Sequence, residues 1–332
     1  MGAAGMNRRV EKTMLARVAD SLYWMSRYLE RAEHTARLVD VNFQLRLDQS
    51  PEPGSGRWRR LLEALQVPVP EGALIDSAGL ARLLTLDRTN PSSVVSSIAA
   101  ARENLRQVRE QSSSEMWEQL NRLYLQVVGA AAQRAWVPES PLFFRGIQDG
   151  ALLFQGLTDS TMSHGEGWHY IQLGRFVERV QGVTALIGTH CGRFSRSLEA
   201  AIEGDEYLEW VGLLKCCAAF EAYSKNYTAE LRPLRVAEFL LLSPHFPHSA
   251  RFSADQVHTA LRAIADMTAG KADSLLRLAG RLRAILSFSQ IEEIMADGLE
   301  NYLGSIRTLC ARAHNAIQQI YFDYQVESAL AD

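Results

Sequence analysis

The sequence has no excess of charge of either sign. Its 332 residues carry 35 lysines and arginines against 38 aspartates and glutamates, a formal net charge of −3. A chain so balanced is not drawn as a whole to nucleic acid or to an anionic membrane surface. It has no apolar run approaching the roughly 20 residues of a membrane-spanning helix. Arg8 and Arg9 are followed by no apolar segment of secretory length. Residues 1–13 therefore read as a disordered leader, and the chain as cytoplasmic. None of Cys191, Cys216, Cys217 and Cys310 forms a C-x-x-C pair; they read as small apolar residues in a reducing compartment. There is no G-x-x-x-x-G-K-[ST] loop, no strand-borne G-x-G-x-x-G and no G-x-S-x-G elbow. The usual nucleotide cradles are thus excluded, and no cofactor is expected.

Strand signals are nearly absent too, while apolar periods near 3.6 recur throughout. The expected fold is an all-α bundle of about ten helices. They fall near 15–47, 58–66, 78–87, 140–156, 168–203, 206–230, 236–241, 254–268, 271–286 and 289–328, with a long pattern from Asn90-Pro91 to about 135. That pattern is interrupted or bent at Ser112-Ser113-Ser114, where Ser112-x-x-Glu115 fits a capping box. A single domain over 14–330 is expected, divisible into pseudo-repeated halves at about 14–135 and 140–330.

What the sequence does contain is one phrase twice. Ser26-Arg27-Tyr28-Leu29-Glu30-Arg31 and Gly174-Arg175-Phe176-Val177-Glu178-Arg179 both read small-Arg-aromatic-aliphatic-Glu-Arg, at a constant offset (175 − 27 = 148). On a helix, Arg-x-x-Glu-Arg places three charges on one face. In the first copy, Asp20, Tyr23, Trp24, Glu30, Arg31 and His34 fall within about 60° of Arg27 at 100° per residue. Val18, Leu22, Met25, Leu29, Ala32 and Ala36 fall opposite. A face that mixes charge with large aromatics, and has neither Lys nor Gln, is not an ordinary solvated face. Both sides of this helix are expected to be covered. Buried charge must then be paired or bind something charged. The bland arrangement is an ion-pair ladder, Asp20 with Arg27 and Glu30 with Arg31.

In the second copy, Trp168 stands where Asp20 did, Gln172 at Trp24 and Gly182 at His34. If the two faces meet, four guanidinium groups gather around two glutamates. The surplus calls for further acids or an anionic ligand, and arginine's planar fork suits carboxylates and phosphates. The candidate binding residues are therefore Tyr23, Trp24, Arg27, Arg31, Arg175 and Arg179, with Glu30 and Glu178 as candidates for proton transfer. The helix after Asn90-Pro91 adds Glu103 and Glu110, seven apart on one stripe, with Arg106 beside them; a solvated face explains that stripe equally well. Its core face is Val94, Ile98, Ala101, Leu105 and Val108. Glu166-x-x-His169 has the spacing of a helical metal-ligating pair, but a di-metal site needs a second pair and the sequence has none. His169 beside Glu166 is instead a candidate for proton transfer, and no metal site is expected.

The run from Met14 to Glu33, with Tyr23-Trp24-Met25-Ser26-Arg27-Tyr28-Leu29-Glu30-Arg31 at its centre, resembles the opening of the bacterial alpha-E domain proteins. Three further segments carry the resemblance, which spans about 14–320. They are Ala101 to Asn121, Gln155 to Arg179, and Glu238-Phe239-Leu240-Leu241-Leu242. The chain departs from the family pattern at Tyr223-Ser224-Lys225-Asn226, where a more Arg-rich run is expected, and at His248, where Arg is common. The resemblance implies an all-helical protein encoded beside, or fused to, a circularly permuted ATP-grasp ligase, with transglutaminase-like proteins as frequent neighbours. It implies a peptide or amide ligase setting, and so an amino-acid or peptide substrate, but supplies no catalytic residues. The alternative is a non-catalytic scaffold of the ligase, with the Arg-Glu faces as its core.

Overall fold

The computed structural model describes residues 14–48, 55–68, 77–132, 141–194, 202, 204–227, 231–268 and 272–322. The expected leader at 1–13 lies outside them. The described residues form fourteen α-helices and no strand. These are α1 Ala16–Asp48, α2 Ser55–Ala64, α3 Ser77–Thr85, α4 Val94–Gln107, α5 Ser114–Ala132, α6 Pro141–Thr161 and α7 Glu166–Phe194, followed by α8 Gly204–Cys216, α9 Phe220–Asn226, α10 Pro233–Leu242, α11 Ala250–Thr268, α12 Asp273–Phe288, α13 Ile291–Asp297 and α14 Leu299–Ile317. No helix among the described residues is long and apolar enough to cross a membrane.

There are more helices than the periodicity suggests because three long patterns are cut. A short 3-10 turn, Arg109–Gln111, separates α4 from α5. The serine that caps α5 is Ser113, whose hydroxyl accepts from the Met116 amide at 3.2 Å, one position beyond the expected Ser112. A left-handed Ala218 (φ 50°) ends the α8 pattern, and Gly298 (φ 97°) divides α13 from α14. The expected core face of α4 is buried throughout.

The packing repeats itself. α1 packs on α4 and α6, α4 on α5, and α5 on α6, closing a four-helix group. α7 packs on α11 and α14, α11 on α12, and α12 on α14, closing a second group. α1 and α7 join the groups by packing on each other, while α2 crosses onto α7 and α8 onto α1. The helix ends match as well. α2 ends with the Gln66 amide on Glu63 O and Val67 on Leu62 O; α8 ends with Ala218 on Lys215 O and Ala219 on Leu214 O. Gln66 and Ala218 are the left-handed non-glycine residues of these two ends. α4 and α11 both start at a serine cap, Ser93 on the Ser96 amide and Ser249 on the Phe252 amide. The break between the groups falls at residues 162–165, between α6 and α7.

Candidate functional site

α1 and α7 run side by side in the same direction, because their contacts advance in step: Met14 with Glu166, Arg27 with Glu178, Glu30 with Arg179. They touch where each phrase begins. A Cβ on Gly174 would lie 2.2 Å from the Tyr23 carbonyl oxygen and 3.2 Å from the Ser26 Cβ. Only glycine fits opposite a serine at that distance, which explains the small residue heading both copies.

The charges then pair across the helices. Arg27 Nε donates to Glu178 Oε2 and Arg31 Nε to Glu178 Oε1, each at 2.7 Å. Reciprocally, Arg179 holds Glu30 with Nε on Oε1 at 2.5 Å and a terminal nitrogen on Oε2 at 2.9 Å. Arg175 Nε stands 3.9 Å from Glu30, too far for a hydrogen bond. Burial by itself would push the Glu30 carboxyl up, but Arg179 and Arg175 overcome it and leave it below the usual carboxylate range. Glu178 is likewise lowered: burial raises it, and Arg27 and Arg31 more than reverse that. Both glutamates are thus ionised, with every carboxylate oxygen engaged. The ladder within α1 is therefore corrected: Arg27 and Glu30 take their partners from α7, because the backbones are close enough for side chains to reach across.

Of the predicted residues, Tyr23, Trp24, Arg27, Glu30, Arg31, Arg175, Glu178 and Arg179 come together around this contact. Tyr23 and Trp24 meet α14: the Tyr23 hydroxyl and His314 Nδ1 are 2.9 Å apart, and the Arg27 guanidinium lies 4.8 Å over Trp24. Burial pushes the Tyr23 hydroxyl up to about 12. Glu103 and Arg106 pair with each other on the outer face of α4, and Glu110 is exposed in the 3-10 turn. The α4 stripe does not continue into α5. Instead α5 folds back, bringing Asn121 to Arg102 Nε at 2.7 Å. His169 sits at the start of α7, about 15 Å along the helix from Arg179, lowered by burial and by His164. Glu166 accepts from the Met14 amide there. Among the described residues no group of three His, Cys, Asp or Glu side chains is placed to hold a metal. All four cysteines are buried thiols, and burial pushes Cys217 up to about 12.

Beside the crossed pairs lies a cavity of about 320 Å³. Its walls come from matching places in the two groups: Glu30, Arg31, His34 and Thr35 from α1, Glu178, Arg179, Gln181, Gly182 and Val183 from α7, the ends of α2 and α8 at Gln66 and Cys217, and Ser92 and His248 just ahead of the two serine caps. Arg31 faces it differently from the other arginines. It gives Glu178 its Nε, and its terminal nitrogens hydrogen-bond to no other described residue. Arg179 is spent on Glu30 and the Pro247 carbonyl oxygen. Arg27 is spent on Glu178 and Gln181, against Tyr23 and His314. Arg175 hydrogen-bonds to no described residue, but the space beside it is only about 10 Å³. Its guanidinium falls to about 10 through burial and the neighbouring Arg179. Gln181, His34, Cys217 and His248 were missing from the predicted set. The offset does carry one signal for them: it pairs His34 with Gly182, and a Cβ on Gly182 would lie 3.2 Å from His34 Nε2.

Fold and site together define an all-α protein built on a doubled Glu-Arg helix, the two copies clasped at a charged cavity. The chain belongs to the Alpha-E family, described as a predicted alpha-helical domain with a conserved ER motif, whose model matches residues 14–322. In this sequence the Glu-Arg dipeptide occurs at Glu30-Arg31 and at Glu178-Arg179. The chain is similar to uncharacterized proteins of Mycobacterium bovis and of two strains of Mycobacterium tuberculosis, 24% identical over 329 residues. The match covers 92% of this chain and 36% of each relative, so the chain spans about a third of their length. No solved structure matches.

Proposed function

We propose that the protein holds the carboxylate of an amino-acid or peptide substrate in the α1–α7 cavity and works with a circularly permuted ATP-grasp ligase, modifying or passing on the ligated product. The observation that carries this proposal is Arg31, which keeps its planar fork at a cavity large enough for a small ligand, while Glu30 and Glu178 are already saturated. One carboxylate would satisfy that fork with two parallel charge-assisted hydrogen bonds. Family membership supports the ligase setting. The relatives support it too, since most of each lies outside the matched region and has room for a fused second domain. Both partners would act in the cytoplasm, with a transglutaminase-like protein as a further neighbour.

In this scheme Glu30 and Glu178 serve as a frame, because saturated carboxylates are poor proton carriers. A second reading, a non-catalytic scaffold of the ligase, is favoured by that same saturation. Two measurements separate them. Arg31→Met should weaken acetate binding at least tenfold in a protein that still unfolds cooperatively, with some loss of melting temperature because Glu178 Oε1 loses its partner. The mass of the ATP-grasp product formed from amino acids and ATP should change when the protein is added. Unaltered acetate binding together with an unchanged product mass leaves the scaffold.

A further inference from the structure

The matching walls of the cavity allow a comparison that a single-copy site does not. Around the crossed pairs, equivalent residues are the same: Glu30 and Glu178, Arg31 and Arg179, and Arg27 and Arg175, although Arg175 stands 3.9 Å from its glutamate. Where equivalent residues only line the cavity, they differ. His34 answers to Gly182, Thr35 to Val183, and His248 to Ser92, each of the last pair standing one residue before the serine cap of its helix. Architecture accounts for the retained positions. It does not call for an imidazole on one side where the other side works with glycine or serine.

The two imidazoles come from opposite groups and face one space. They lie among Glu30, Arg31, Glu33 and Arg37 of α1, Arg175, Glu178 and Arg179 of α7, and Cys217 after α8. Burial, reinforced by Arg37 and Arg179, keeps both rings neutral; His34 is pushed down to about 4 and His248 well below its ordinary value. A neutral imidazole has one N–H donor and one lone-pair acceptor. Facing two such rings, a second ligand charge would meet neutral groups, while Arg37 and Arg179 nearby are already paired with Glu33 and Glu30. A secondary amide, by contrast, offers one N–H and one carbonyl oxygen, which one ring can accept from and the other donate to.

We infer that His34 and His248 read a peptide-type amide beside the carboxylate held by Arg31, so that the cavity selects N-acylated amino acids or peptide C-termini; this rests on the carboxylate assignment above. The test uses the full chain with two probes that share a carboxylate, acetate and N-acetylglycine, measured by titration calorimetry. The wild type should bind N-acetylglycine about tenfold tighter than acetate, roughly the worth of one or two net hydrogen bonds. His34→Leu and His248→Leu should each cut that ratio to about threefold or less, leaving acetate affinity intact. Gly182→Ala, which keeps the ring but crowds it, should lower the ratio without removing a hydrogen-bonding group. Ring-nitrogen NMR signals of both histidines should shift with N-acetylglycine and not with acetate, a response that a merely structural role would not produce. A wild-type ratio near one, a ratio that survives both leucine variants, or tighter binding of glycine or succinate than of N-acetylglycine overturns the amide assignment while leaving the carboxylate pocket standing. Acetate binding that Arg31→Met does not weaken overturns the pocket itself.

Discussion

Glu178 and Glu30 occupy equivalent places in equivalent helices, yet they are held differently. Glu178 takes one hydrogen bond from each of two arginines, and one of those, Arg31, reaches a cavity. Glu30 is gripped by a single arginine through two nitrogens, and its second arginine stands off at 3.9 Å. The same residue triad has closed one end of the contact and left the other with donor capacity to spare. In a duplicated frame, function is to be sought where the copies stop matching.

The largest test of that contrast is removal of each carboxylate. Glu30→Gln leaves Arg179, with only 2% of its side chain exposed, as an unpaired buried charge. A loss of about 3–5 kcal/mol is expected in chemical denaturation. Glu178→Gln should cost less: Arg31, 25% exposed, can turn to water, and Arg27, though only 6% exposed, still donates to Gln181 and the Tyr23 hydroxyl. Equal losses would abolish the distinction between a closed and an open end. Next comes Gly174→Ala, which drives a Cβ against the Tyr23 carbonyl; about 1–3 kcal/mol or more should be lost. The matching Ser26→Ala should cost far less, since Ser26 already carries a Cβ.

A smaller effect is the dependence on pH. His34 has its folded value depressed from 6.5 to about 4, so between those values the unfolded chain binds a proton that the folded one refuses. Stability should therefore fall as pH drops from about 6.5 toward 4; His190, His248 and His314 are depressed in the same sense, so His34→Asn should reduce the slope by one proton's share. The lowered carboxyls of Glu30 and Glu178 act further down. Their contribution is whole above the ordinary carboxylate range and is lost as pH falls through their depressed values. A slope unchanged in His34→Asn would mean that the ring titrates freely. The smallest effect belongs to Glu103→Gln on the outer face of α4, which should leave the melting temperature unchanged.

Much of this arrangement was legible in the sequence. The all-α class follows from the 3.6 period, and the cover on both sides of α1 follows from Tyr23 and Trp24 standing among charges. The four-arginine cluster follows from the 148-residue offset once the copies meet. Its pairing was not legible, because spacing along α1 describes only neighbours on α1, whereas the partners are chosen by the approach of two backbones at Ser26 and Gly174. The α4 stripe misled for a related reason. Glu103 and Arg106 share a helical face that Ala101 and Leu105 turn outward, and α4 ends before Glu110, which falls in the 3-10 turn. His248 could not be placed, since nothing local says that the residue before a serine cap will face His34 across the molecule.

The crossed pairs also set a schedule for biosynthesis. They join residues 147 to 151 positions apart. At about 5–20 residues per second, the nascent chain carries Arg27, Glu30 and Arg31 for roughly 7–30 seconds before their partners are made. Through that interval α1 has an arginine-rich face with nothing to close it, and the first four-helix group is unfinished however well its apolar side has collapsed. Completion of α7 is thus the event that closes the charged face of the first group and begins the second, and a ribosome stalled before Glu178 would hold a chain that cannot become native.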